Sequence, residues 1–206
     1  MGSYIVGITG ASGSIYGVRL IEELLVTGND VHIVITDSGK KVIEYETGYH
    51  AEAFARHLEI NGNTISGKKG NRNFSNKGKV IFYEIDNLFA AIASGSFKTD
   101  GMIVLPCSMS TLAEIANGIS KNLLTRAADV CIKEKRKLVI VPRETPLSTI
   151  HLKNMLALSE TGVTILPAMP GFYHKPQSME DLINFVVGKV LDTLNIENQL
   201  FEKWGK

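Results

Sequence analysis

The sequence predicts an α/β protein, a three-layer α/β/α arrangement around a mostly parallel, doubly wound sheet. Three observations carry this. Short runs rich in Val and Ile recur along the chain. Several of them are apolar without alternation, as strands covered on both faces are. Longer amphipathic stretches separate them, as expected where parallel strands are joined by helical crossovers.

Taken in order, strands are expected at residues 4–9, 31–36, 80–85, 102–106, 137–141 and 163–166. Helices are expected at 15–26, 39–47, 111–117, 123–135, 152–161 and 179–194. In the first helix Val18, Ile21, Leu24 and Leu25 share one face, with Arg19, Glu22 and Glu23 expected elsewhere. Residues 60–79 break the rhythm: they are rich in Gly, Asn and Lys, offer few apolar side chains, and read as an exposed loop or flap. With no internal repeat and no separate linker, residues 1–206 are expected to form one domain.

Composition sets limits. An apolar share of 44% in 206 residues is enough for one sizeable core, and a net charge of +1 argues against a strongly basic nucleic-acid binder. Cys107 and Cys131 have neither metal-like nor redox-like spacing and read as buried thiols of a reducing compartment. The start of the chain runs straight into a strand without the features of a signal peptide. No apolar run approaches membrane-spanning length, so the expected location is the cytoplasm.

The candidate site begins at Gly7-Ile8-Thr9-Gly10-Ala11-Ser12-Gly13-Ser14, between the first strand and the first helix. Glycines there allow a tight turn, and a helix N-terminus offers N–H groups to an anion. The dinucleotide pattern G-x-G-x-x-G is absent, because Thr9 and Ser12 stand where glycines would be needed, and so is a Walker-type lysine. A plain strand–helix turn is therefore an equal reading of this segment alone. Other strands end in Thr36-Asp37-Ser38, in Pro106-Cys107-Ser108-Met109-Ser110-Thr111 and in Pro142-Arg143-Glu144-Thr145-Pro146. Such hydroxyls either cap helices or hold a phosphate or a polar flavin edge. Ligands of open α/β sheets sit outside the carboxyl ends of the strands, where these loops would converge.

These residues resemble one family. Gly10-Ala11-Ser12-Gly13, Ser94-Gly95-Ser96, Pro106-Cys107-Ser108, Arg126-Ala127-Ala128-Asp129, Lys133-Glu134-Lys135-Arg136, Val141-Pro142-Arg143-Glu144-Thr145-Pro146 and Pro170-Gly171-Phe172-Tyr173-His174-Lys175-Pro176-Gln177-Ser178 follow, in order, the pattern of the UbiX flavin prenyltransferases. The family was formerly taken for aromatic-acid decarboxylases, and its fold is similar to the Rossmann- and flavodoxin-like cysteine decarboxylases.

The resemblance implies a metal-free transfer of a dimethylallyl group from dimethylallyl phosphate to N5 and C6 of reduced FMN, giving prenylated FMN for a UbiD-type decarboxylase. It implies FMN contacts from Gly10, Ala11, Ser12, Thr36, Ser108, Met109, Ser110, Thr111 and Arg143. Ser94, Arg126, Lys133, Arg143, Tyr173 and Lys189 would surround the prenyl phosphate, meeting the need for positive charge on a departing phosphate. Catalytic roles fall to Ser12, near N5, to Glu46 in the same acidic–basic group, and to Glu144 as proton donor to the leaving phosphate. Tyr173 and Trp204 would offer aromatic faces to a cation-like carbon. Position 189 commonly carries arginine in relatives; lysine keeps the charge but not the bidentate fork. Assembly as a homo-oligomer, a dodecamer built from trimers with sites shared between subunits, is implied as well.

On the residues alone, Arg126 and Lys133 read as a solvated basic stripe on one helix side, His174 as structural, and Cys107 as a buried thiol. Three rival functions compete with this reading. An FMN-dependent cysteine decarboxylase would carry Pro-x-Met-Asn, where Pro167-Ala168-Met169-Pro170 stands here. A non-catalytic flavin carrier would not need Glu144, Arg126 and Lys133 together. Direct decarboxylation of an aromatic acid would proceed without a UbiD-type partner.

Overall fold

A computed structural model describes residues 1–49 and 78–205, together with the short strands at 64–65 and 72–73. The main sheet contains β1 (Ser3–Ile8), β2 (Asp30–Ile35), β5 (Val80–Tyr83), β6 (Gly101–Cys107), β7 (Lys137–Pro142) and β8 (Thr164–Ile165), in the spatial order β5-β2-β1-β6-β7-β8. All of its pairings are parallel. Strand order reverses between β1 and β6, which puts the ligand crevice of a doubly wound sheet there. A separate antiparallel pair joins β3 (Thr64–Ile65) to β4 (Arg72–Asn73). The remainder of the loop or flap expected at 60–79 lies outside the described residues, except that Lys79 donates its N–H to Asp30 and its carbonyl accepts from Val31.

The unbroken apolar runs have a simple cause. Val6, Ile8, Ile103, Leu105, Val139 and Val141 face one buried cluster, and Ile5, Met102, Val104, Cys107, Leu138 and Ile140 face the other. Alternation exists, but both faces are dry. The first face is covered by α1 (Ser14–Val26), α2 (Asp37–Thr47) and α6 (Met179–Thr193). The second is covered by α3 (Met109–Ala116), α4 (Leu123–Lys133) and α5 (Thr149–Glu160).

Three helices begin two or three residues before the expected positions because hydroxyls cap them. Thr36, Ser108 and Ser148 accept from the N–H groups of Gly39, Thr111 and His151. The segment 108–111 is thus a cap and a first turn rather than a loop. Glu23, expected off the apolar face of α1, is nonetheless buried, at 6% exposure. It pairs with Arg19 at 2.5 Å, and Arg19 also bonds Asn184 of α6, so α6 covers a flank that periodicity alone assigns to solvent. Among the described residues no helix is long and apolar enough to cross a membrane.

Candidate active site

Three loops at the carboxyl end of the sheet are tied directly to one another. The Thr9 hydroxyl donates to the Pro106 carbonyl and accepts from the Ser108 N–H, both at 2.8 Å. Arg143 N–H donates to Cys107 O, and Thr36 N–H to Ile8 O. These bonds fix the ends of β1, β2, β6 and β7 around the switch point. Gly10 lets the turn approach α2, since a Cβ there would lie 2.5 Å from Ser38 Oγ.

Gly13 caps α1 with φ 97°, a backbone conformation that favours glycine, and has no side chain to satisfy the helix N-terminus. Glu46, at the end of α2, does this instead. Its carboxylate accepts from Gly13 N–H at 3.0 Å, Ser14 N–H at 2.9 Å and Ser14 Oγ at 2.7 Å. Burial pushes the Glu46 carboxyl up, but bonds from the Ser12 and Ser14 hydroxyls and from the two N–H groups outweigh it, leaving a net depression. Glu46 is therefore an anion at neutral pH, sitting where the glycine turn offers its amides.

Arg143 closes the other side, donating from Nε to Ser12 O at 3.1 Å. Tyr16 faces it: burial raises the phenol and the guanidinium charge partly offsets this. Ser12, Tyr16, Glu46, Tyr49, Met179 and Ile183 line an open cleft of about 500 Å³. Glu144 lines a smaller cavity of about 60 Å³ with Arg143, Leu147, Met155 and Met169, and accepts from Thr145 N–H at 3.1 Å.

The site residues expected from sequence thus fall into sets. Gly10, Ala11, Ser12, Thr36, Glu46, Ser108 and Arg143 meet at the carboxyl ends of the strands. Met109, Ser110 and Thr111 form the first turn of α3 beside them. Ser94, Arg126 and Lys133 form a second group along α4. Arg126 bonds Ala93 O at 3.2 Å and pairs with Asp129 at 2.7 Å; Lys133 pairs with Glu134, next to Gly95. Seven residues apart on α4, Arg126 and Lys133 are separated by about 10 Å along the helix axis. Lys189 lies near the far end of α6, whose Thr193 carbonyl receives Lys137 of β7. Tyr173 stands in an aromatic group with His174, Phe185 and Trp204.

Both cysteines are free and buried; burial pushes both thiols up, Cys131 to about 11 despite Arg136 nearby, so Cys107 is no nucleophile. Sequence reasoning missed Thr9, Ser14 and Tyr16. Ser14 was visible as a second serine beside Ser12, but its partner Glu46 lies 32 residues away, with nothing in the sequence to join them.

A doubly wound parallel sheet with hydroxyl-rich loops and helix N-termini at its switch point defines a nucleotide- or flavin-binding α/β protein. Residues 3–191 match the family model described as Flavoprotein. A flavin prenyltransferase UbiX of Halalkalibacterium halodurans is 54% identical over 205 residues, covering 100% of this chain and 94% of the relative. The crystal structure of AnUbiX (PadA1) in complex with FMN and dimethylallyl pyrophosphate superposes with a TM-score of 0.87 at 38% identity, covering 100% of this chain and 98% of that one. A dodecameric FMN-dependent UbiX-like decarboxylase from Escherichia coli O157:H7 gives 0.85 at 42% identity, covering 99% and 100%. The chain belongs to the flavoprotein family and, within it, to the UbiX flavin prenyltransferases.

The residues present fit FMN. Ser108 spends its hydroxyl on Thr111, so the N–H groups of Met109 and Ser110 at the start of α3 face the crevice as donors for an anion. The close packing at Gly10 brings the turn, Thr36 and Ser38 within reach of the same ligand.

Proposed function

We propose that this chain transfers a dimethylallyl group from dimethylallyl phosphate to reduced FMN at the carboxyl-end crevice. The observation that carries the reading is the joined network of Ser12, Glu46 and Arg143 at the switch point, in a chain 54% identical to a flavin prenyltransferase. Gly10, Ala11, Ser12, Thr36, Arg143 and the first turn of α3 hold FMN. In the reaction the allylic C–O bond breaks, the N5–carbon bond forms, and the oxygen leaves with inorganic phosphate. The C2=C3 double bond of the N5-bound prenyl group then takes a proton at C2, flavin C6 bonds to C3, and C6 gives up its own proton, closing the ring.

Each residue has a task that its surroundings support. Glu144, beside Arg143 and facing a cavity with an apolar wall, gives a proton to the departing phosphate. The Ser12 hydroxyl, beside the anionic Glu46, accepts and passes on the N5 proton. Ser94, Arg126, Lys133 and Lys189 supply positive charge to the phosphate. Arg126 and Lys133 lie on the α4 flank of their own chain, so the reading has them complete the site of a neighbouring copy.

The same reading includes assembly as a homo-oligomer, a dodecamer built from trimers; the E. coli relative is dodecameric. Large side chains left exposed, among them Phe89 at 102% and Tyr45 at 92%, support such packing. The product passes to a UbiD-type decarboxylase, and the protein works in the cytoplasm.

The test is mass analysis of the flavin after anaerobic incubation with reduced FMN and dimethylallyl phosphate. A gain of one five-carbon prenyl unit, lost in Glu144→Gln and Ser12→Ala proteins that still bind FMN, supports the reading. Bound but unmodified FMN with either the monophosphate or the diphosphate sinks it.

A further inference from the structure

Beyond α6 the chain turns back on itself and runs along the helix it has just left. Ile196 N–H donates to Leu191 O at 2.9 Å, and the Asn198 amide donates to Asp192 Oδ1 at 3.0 Å. Lys203 reaches the same carboxylate oxygen at 2.8 Å. Between these ties Phe201 enters the helix surface at Gly188. A Cβ at position 188 would lie 2.6 Å from both Phe201 Cδ1 and Cε1, closer than real atoms approach, so this glycine is a notch cut to the ring.

From that notch a line of rings leads outward. Phe201 lies 4.9 Å from Phe185, Phe185 5.6 Å from Tyr173, and Tyr173 meets Trp204 edge-on at 5.4 Å. His174 stacks on Phe185 at 5.1 Å and 11°. Both of its ring nitrogens are shielded and lack a partner among the described residues, so it serves the group as a flat ring. Phe201 is half-buried, Phe185 is buried at 8%, and the outer end is open, Trp204 at 80%. An exposed indole held against an exposed tyrosine contributes little to the core. What it gains is a fixed place.

We propose that the segment 195–205 is a positioning strap: Phe201, seated in the Gly188 notch, sets Trp204 against Tyr173 and so shapes the aromatic wall that meets the dimethylallyl group. The inference rests on the reading of Tyr173 as a residue of the prenyl-phosphate site. Gly188 and Phe201 touch no reactant in it; they act through Tyr173 and Trp204. An allylic cation is stabilised by π faces only at close range and correct angle, so loosening the wall weakens recognition of the dimethylallyl part and leaves FMN binding alone.

Trp204 is the sole tryptophan of the chain, so its fluorescence anisotropy reports the strap directly. The variants are Phe201→Ala, Gly188→Ala, the double variant, and Phe201→Leu, which keeps a bulky anchor. Each is measured for Trp204 anisotropy, FMN affinity, and dimethylallyl phosphate affinity in the oxidised-FMN complex, where no turnover intervenes. Phe201→Ala and Gly188→Ala are expected to lower the anisotropy and to weaken dimethylallyl phosphate binding about tenfold, with FMN affinity unchanged. The double variant matches Phe201→Ala alone, because the clash at 188 needs the ring, and Phe201→Leu restores most of the affinity. Lower anisotropy with unchanged dimethylallyl phosphate affinity would show the strap to be packing only and overturn the proposal, as would an anisotropy indifferent to Phe201→Ala. Wild-type protein that binds FMN but no dimethylallyl phosphate would instead defeat the underlying reading of the site, leaving the anisotropy comparison intact.

Discussion

Two groups of polar residues differ in how a single chain treats them. At the carboxyl end of the sheet, Glu46 accepts from Gly13 and Ser14 and Arg143 donates to the Ser12 carbonyl, so the chain itself fixes their geometry around the glycine turn. Along α4, Arg126 and Lys133 are satisfied by acids of their own helix region, Asp129 and Glu134. Parts of a site that must be preorganised are built into the fold. Under the proposed reading, the cations that would complete it are held on the α4 surface, and exposed pairs of this kind stabilise their own chain little.

That contrast can be broken most sharply at Glu144. Glu144→Gln should slow prenyl transfer by roughly 10²–10⁴-fold without changing FMN affinity, measured by anaerobic single turnover; a smaller effect would remove Glu144 as the proton donor. Lys133→Ala should weaken use of dimethylallyl phosphate by about 10- to 100-fold, the loss of one charge-assisted bond, while changing stability by less than about 0.5 kcal/mol. A large fall in thermal stability with unchanged kinetics would reverse the assignment and make the α4 group structural.

Glu46 should behave in the opposite way to Lys133. Glu46→Ala uncaps α1 and is expected to cost about 1 kcal/mol, or about 3 °C in Tm for a chain of this size. The pH dependence has a definite sign. Because its carboxyl is depressed in the folded state, Glu46 contributes stability above the ordinary value of 4.5 and loses it as pH falls through the lower folded value. Glu46→Gln should therefore lose less stability than wild type between neutral and acid pH; equal losses would mean the bonds to Gly13 and Ser14 contribute nothing. The smallest effect is expected at the thiols. With Cys107 and Cys131 buried and their thiols raised by burial, a thiol reagent should find neither in the folded protein and both in denaturant.

Sequence carries the fold well because the hydrophobic signal is local: Val and Ile runs became strands within two residues of their expected ends. It misplaced helix starts wherever a capping hydroxyl also looked like a ligand, at Thr36 and Ser108. It set Glu23 off the apolar face without showing its burial, which depends on Arg19 and α6. The site divides in the same way. Ser12, Arg143 and Glu144 were legible in local motifs and in their order along the chain. The capping of α1 by Glu46 and the stitching by Thr9 join residues 32 and 97 apart, and no periodicity reports such pairs. Nor could spacing reveal that Arg126 and Lys133 pair with Asp129 and Glu134 of their own helix region.

The most direct measurement is co-expression of Glu144→Gln and Lys133→Ala chains, with prenylated flavin quantified by mass. Each variant alone should be nearly inactive. Mixed assemblies should recover activity to about a quarter of wild type, the share of interfaces that pair two intact halves under random mixing. Mixed assemblies no more active than either variant alone would contradict a site built from the glycine-turn end of one chain and the α4 flank of another.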